Sequence, residues 1–94
     1  MLKQSRHDQS IFKTVAMYRI IEAYIATHRY PPSFEDIISK GAFTSTFMIH
    51  WHMKRLKEWK LLESQPRLSR TIRLHPVSAA PAEIQRYFEE SHAK

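Results

Sequence analysis

No cysteine occurs in the 94 residues, which excludes disulfides, a thiolate zinc site and a thiol nucleophile. Glycine is nearly absent as well, Gly41 being the only one. A glycine-rich phosphate loop therefore cannot be built, and no GxSxG nucleophile elbow is present. No apolar run approaches the ~20 residues that span a bilayer. The first ten residues, MLKQSRHDQS, carry charges but no apolar core, so they do not read as a secretory signal. The compartment expected by default is the cytoplasm. Acidic residues are few, with 9 Asp and Glu against 15 Lys and Arg, for a net charge of +6. What remains is enough apolar chain for one modest core: hydrophobic residues make up 43% and aromatics 12%.

The positive charge is unevenly placed. Residues 1–44 hold six Lys or Arg against four Asp or Glu, residues 45–76 hold seven against two, and residues 77–94 hold two against three. The excess of +5 thus falls on a single 32-residue stretch, as expected of a segment that meets a polyanion. A basic stripe is also the ordinary look of a solvated face, so charge alone does not decide the matter.

Residues 1–9 are polar and read as a flexible N-terminus. From about Ser10 to His28 the residues Ile11, Val15, Tyr18, Ile21, Tyr24, Ile25 and His28 recur at three- and four-residue spacing, one stripe of an amphipathic helix. Pro31 and Pro32 end it, because each lacks an N–H and biases its predecessor away from helix. Ser33 with Asp36 three residues on has the form of a capping box. A short helix from Phe34 to Lys40 follows, burying Phe34, Ile37 and Ile38, with Gly41 as its C-terminal stop. Thr44 or Ser45 caps a third helix that runs to Trp59 or Lys60. Residues 61–65 and 71–74 read as two strands around a tip at 66–70, which has no Asn-Gly and so no tight two-residue turn. Residues 77–81 form a linker, and Pro81 opens a last helix to about Ser91.

The order is mainly α with a small β-hairpin: three helices, a two-stranded antiparallel wing and an extra C-terminal helix. That is a winged helix-turn-helix over residues 10–76, with a linker and helix at 77–94. Such a unit can lay one helix in the major groove of DNA. The residues that carry a family likeness are Tyr30-Pro31-Pro32-Ser33, Ile37, Phe43-x-Ser45, His52-x-Lys54-x-Leu56 and Ser69-Arg70-x-Ile72-Arg73-Leu74. In that ordered spacing, from about Ile11 to Leu74, the chain resembles the N-terminal DNA-binding domain of the LexA repressors. Where that family commonly has a leucine-glycine pair at the turn, this chain has Gly41-Ala42.

At ~100° per residue, Ile49, His52, Met53 and Leu56 share the inner face of the third helix, and Phe47, Trp51, Lys54 and Glu58 lie opposite. The resemblance implies that the N-terminal half of this helix reads bases, at Ser45, Phe47, Met48, His50 and Trp51. In the family these positions are largely small or polar, so Phe47, Met48 and Trp51 depart from it and the family's operator is not carried over. Apolar side chains can still touch the thymine methyl group, which points to a T-rich site. The same exposed aromatics also fit a protein-contact patch or a surface covered by the C-terminal helix. Backbone contact is assigned to Ser33, Thr44, Lys54, Arg55 and Lys57, and by resemblance to the wing residues Arg67, Arg70 and Arg73.

His50-x-His52 suggests a metal pair, but residues two apart on a helix point ~200° apart. No metal, cofactor, membrane or small-molecule substrate is expected, nor an enzyme. The self-cleaving half of the LexA repressors has no counterpart in these 94 residues, and Ala79-Ala80 is followed by Pro81, so autoproteolysis is not expected. Ile84, Tyr87 and Phe88 form either a substitute homodimer helix or one that packs on its own domain. The reading is a DNA-binding transcriptional regulator, a repressor. Its alternatives are an adaptor that binds another regulator through Phe47, Met48 and Trp51, and a replication-origin-binding module.

Overall fold

The computed structural model describes residues 2–65 and 71–93. Helix α1 (Leu2–His28) is followed by α2 (Phe34–Ser39), α3 (Thr46–Glu58), strands β1 (Leu62–Glu63) and β2 (Arg73–Leu74), a single 3-10 turn (Val77–Ala79) and α4 (Ala82–Ala93). This is a winged helix-turn-helix with one added helix.

Helix α1 starts well before Ser10, where its apolar stripe begins. The preceding segment holds no proline or glycine, and a helix already nucleated by packing gains one hydrogen bond for each residue it adds. The buried side of α1 is Ile11, Thr14, Val15, Met17, Tyr18, Ile21 and Tyr24. His28, placed on the stripe by spacing, is exposed and stacks on Tyr24 with ring centres 3.9 Å apart.

The capping box forms as its spacing predicts: Asp36 N–H donates to Ser33 Oγ at 3.2 Å, and Ser33 N–H donates to Asp36 Oδ2 at 2.9 Å. Tyr24 donates its hydroxyl to the same carboxylate oxygen at 3.0 Å, tying α1 to the start of α2. Gly41 follows the C-cap Lys40 at φ +88, the left-handed conformation that a residue without Cβ adopts cheaply. Two other helix ends use the same conformation without glycine. Arg29 sits at φ 69 and Lys60 at φ 68. After α3, Leu61 N–H donates to Leu56 O and Lys60 N–H to Lys57 O, the paired bonds of a Schellman ending. Leu56 and Leu61 are both fully buried beneath it.

The strands are shorter than their apolar runs suggest, two residues each, with Leu62 opposite Leu74 and Glu63 opposite Arg73. Beyond them the Thr71 hydroxyl takes over from backbone pairing: Gln65 N–H donates to Thr71 Oγ1 at 2.9 Å. On the helix side, His75 N–H donates to Leu61 O, and Tyr18 donates its hydroxyl to His75 O at 2.6 Å, anchoring the base of the wing to α1.

Part of the expected linker is the 3-10 turn. Pro81 then stands just ahead of α4, its carbonyl accepting from Ile84 and Gln85. Helix α4 folds back on its own domain. Phe88 is 1% exposed, meeting Tyr18 edge-on at 5.2 Å and Trp59 at 6.2 Å, while Tyr87 meets Phe12 at 5.6 Å. Ile84 and Tyr87 are half-buried against the same core. Within the single chain this helix therefore packs on its own domain. Among the described residues, no helix is long and apolar enough to cross a membrane.

Candidate nucleic-acid interface

Helix α3 has two unlike sides. Ile49, His52, Met53 and Leu56 are buried against α1 and α2. The inner side is fixed by a polar contact as well as by packing: His52 Nδ1 lies 2.7 Å from Thr14 Oγ1, and its ring meets Phe43 edge-on at 5.4 Å. Burial, with the positive charges of Arg55 and Lys13, lowers the His52 pKa to about 4, so its ring is neutral at pH 7.

On the outer side Phe47 is 75% exposed and Trp51 43% exposed, one helical turn apart. Neither is sheathed by the C-terminal helix, which packs on α1 and on the 3-10 turn. His50 is exposed on the flank, its ring 4.7 Å from that of Phe34 in an edge-on contact that joins α2 to α3. Met48 is half-buried and packs against the core, so only part of its thioether chain faces outward. Ser45 caps α3, its Oγ accepting from Met48 N–H at 3.2 Å, which leaves its hydroxyl proton free to donate outward. His50 and His52 point to opposite sides, one exposed and one buried, so they do not converge on an ion.

The residues expected at the sugar-phosphate backbone are dispersed in their surroundings. Thr44, Lys54, Lys57 and Arg73 are exposed. Arg73 alternates with buried Ile72, as the strand period requires. Ser33 is already engaged: its Oγ is 3.0 Å from Asp36 Oδ2 inside the capping box. Arg55 is half-buried, its guanidinium carbon 4.3 Å from the centre of the Trp51 ring and 6.0 Å from that of Trp59. Arg67 and Arg70 lie outside the described residues. The rest gives one surface, made by the outer side of α3 and its N-terminus, that is aromatic at the centre and cationic at its edges.

Sequence reasoning passed over Trp59 and Thr14. Trp59 stands eight residues after Trp51, with Arg55 midway, a spacing that places all three along one side of a helix. Thr14 lies three residues after Ile11 and one before Val15, within the width of a buried helical stripe.

A winged helix-turn-helix with this surface matches one family model, the LexA DNA binding domain, over residues 13–71. The chain belongs to that family. Among curated proteins it is similar to the LexA repressor of Limosilactobacillus reuteri (strain DSM 20016), 31% identical over 64 residues that cover 68% of this chain and 31% of that protein. The LexA repressor of Staphylococcus aureus (strain Newman) is 33% identical over 58 residues, 62% of this chain and 28% of the relative. That of Clostridium tetani (strain Massachusetts / E88) is 33% identical over 60 residues, 64% of this chain and 30% of the relative. The chain spans about a third of the length of the curated relatives it matches. No solved structure matches it. The matched stretch contains α3, the turn before it and the first strand of the wing, so the family assignment and the two-sided helix concern the same residues.

Proposed function

We propose that this LexA-family domain is a sequence-specific double-stranded DNA-binding regulator that represses transcription by occupying its site. The observation that carries the reading is the exposed pair Phe47 and Trp51 on a helix whose opposite side is locked into the core. Lys54 and Lys57 stand on the same helix. Cations set register on phosphates, while Ser45, Phe47, His50, Trp51 and the exposed part of Met48 choose the sequence. Apolar groups at the centre favour thymine methyls over the hydrogen-bonding edges of guanine, so the site is T-rich. No small molecule or cofactor enters this mechanism, and it operates in the cytoplasm, where the DNA is.

Selection of bound fragments from random duplex DNA tests the reading and, by the symmetry of the motif, shows whether two copies bind together. With about five phosphates neutralised, log affinity falls against log salt with a slope of about −4 to −5. A flat salt response overturns DNA binding. Replacing thymine by deoxyuracil within the selected motif removes only the methyl groups, and unchanged affinity overturns the apolar readout.

The 75% exposure of Phe47 favours a second reading, an adaptor that offers Phe47, Met48 and Trp51 to another regulator. On that reading Trp51→Ala abolishes partner binding and spares salt-sensitive duplex affinity. On the DNA reading, Lys54→Ala with Arg70→Ala weakens all duplexes together. An origin-binding replication module uses the same contacts and differs in where its selected motif occurs.

A further inference from the structure

We propose that Arg55 is a positioning residue, a planar cation clamped between the Trp51 and Trp59 rings that sets the Trp51 indole for base contact and neutralises no phosphate. The inference rests on the DNA-binding reading above and assigns Arg55 a different part from the backbone contact its charge suggests.

Residues 51, 55 and 59 follow one another at four-residue intervals, so each side chain meets the next along one side of α3. The guanidinium carbon is 4.3 Å from the Trp51 ring centre and 6.0 Å from that of Trp59, both within range of a cation–π contact. Nη1 has no solvent-accessible surface to speak of and no hydrogen-bond partner among the described residues. A phosphate oxygen, of similar radius to water, therefore has no access to Nη1 in this arrangement. Lys54 and Lys57, its neighbours on the helix, are exposed and have no such restriction.

The clamp answers a specific cost. A large side chain left 43% exposed retains rotamer freedom, and ordering it on association weakens binding. A flat guanidinium against one face of the indole removes that freedom beforehand and leaves the remainder of the ring for the groove. Lysine cannot substitute, because its ammonium is a compact charge with no plane to stack.

Arg55→Met and Arg55→Lys are compared with the native chain on its selected duplex and on a scrambled one, across a salt series. Positioning by the plane predicts that both variants lose about tenfold of the preference for the selected site, roughly one base contact's discrimination. The salt slope stays unchanged. In a Trp59→Phe background, where Trp51 is the only indole, acrylamide quenching of the free protein rises on adding Arg55→Met. A slope smaller in magnitude by about 0.9, with equal weakening of both duplexes and recovery in Arg55→Lys, makes Arg55 a phosphate contact and overturns the proposal. Unchanged quenching overturns it too. Absence of duplex affinity in the native chain overturns the DNA reading and this proposal with it, whereas the slope and quenching arms overturn this proposal alone.

Discussion

The Thr14 hydroxyl and Nδ1 of His52 stand 2.7 Å apart across the contact between α1 and α3. The same hydroxyl is 3.2 Å from Ser10 O. Both groups are satisfied when Thr14 donates to that carbonyl and accepts from His52 Nδ1–H. The pair sets the rotation of α3 about its own axis, and with it which residues reach outward.

Burial of His52, with the nearby charges of Arg55 and Lys13, makes stability depend on pH. His52 titrates at about 4 in the fold against 6.5 when unfolded, so the unfolded chain binds the proton first. Its contribution is therefore complete above pH 6.5 and is lost as pH falls through 6.5 towards 4. At ~1.4 kcal/mol per unit, the loss is on the order of 3 kcal/mol. Urea midpoints for the native chain and His52→Gln should converge over that interval as the native chain weakens. Parallel curves would contradict a histidine held neutral.

Thr14→Val keeps the shape of the side chain and removes the hydroxyl. The buried imidazole then lacks a partner, which costs about 1–3 kcal/mol. Denaturant unfolding at pH 7.5 measures it, and a change below ~0.5 kcal/mol would show that another group satisfies His52.

Lys60 holds φ 68 at the end of α3, where Gly carries no Cβ penalty. Lys60→Gly should stabilise the domain by about 0.5–1 kcal/mol, offset in part by a looser unfolded chain and the loss of a cation at the helix C-terminus. The thermal midpoint should rise by a few degrees. A fall would mean that the charge outweighs the conformation.

Phe88 is enclosed by Tyr18, Trp59 and the Arg19 side chain, whose guanidinium lies 5.3 Å from its ring centre. Phe88→Ala should cost about 3–5 kcal/mol, the usual price of emptying an aromatic site. That is a large share of a small domain's stability. A neutral substitution, or one that alters oligomeric state alone, would mean that α4 serves another copy of the chain.

Much of the architecture was legible because it depends on neighbours in sequence. Ser33 and Asp36 cap α2 by being three residues apart, Gly41 stops it by having no Cβ, and Ile49, His52, Met53 and Leu56 share a face through helical period alone. Other features are not written in the local pattern. Helix α1 reaches back to Leu2 although its stripe begins near Ser10, and the strands pair over two residues each, with Gln65 N–H held beyond them by the Thr71 hydroxyl and not by the backbone ladder.

By itself the sequence determined the helix-turn-helix order, the position of the basic stretch and the two faces of α3, since spacing and charge are properties of the chain as written. Only the tertiary structure decided that Phe88 turns inward and that Phe47 and Trp51 remain uncovered by α4. Each of those outcomes depends on which surfaces compete successfully for burial, and that competition is settled between segments distant in sequence.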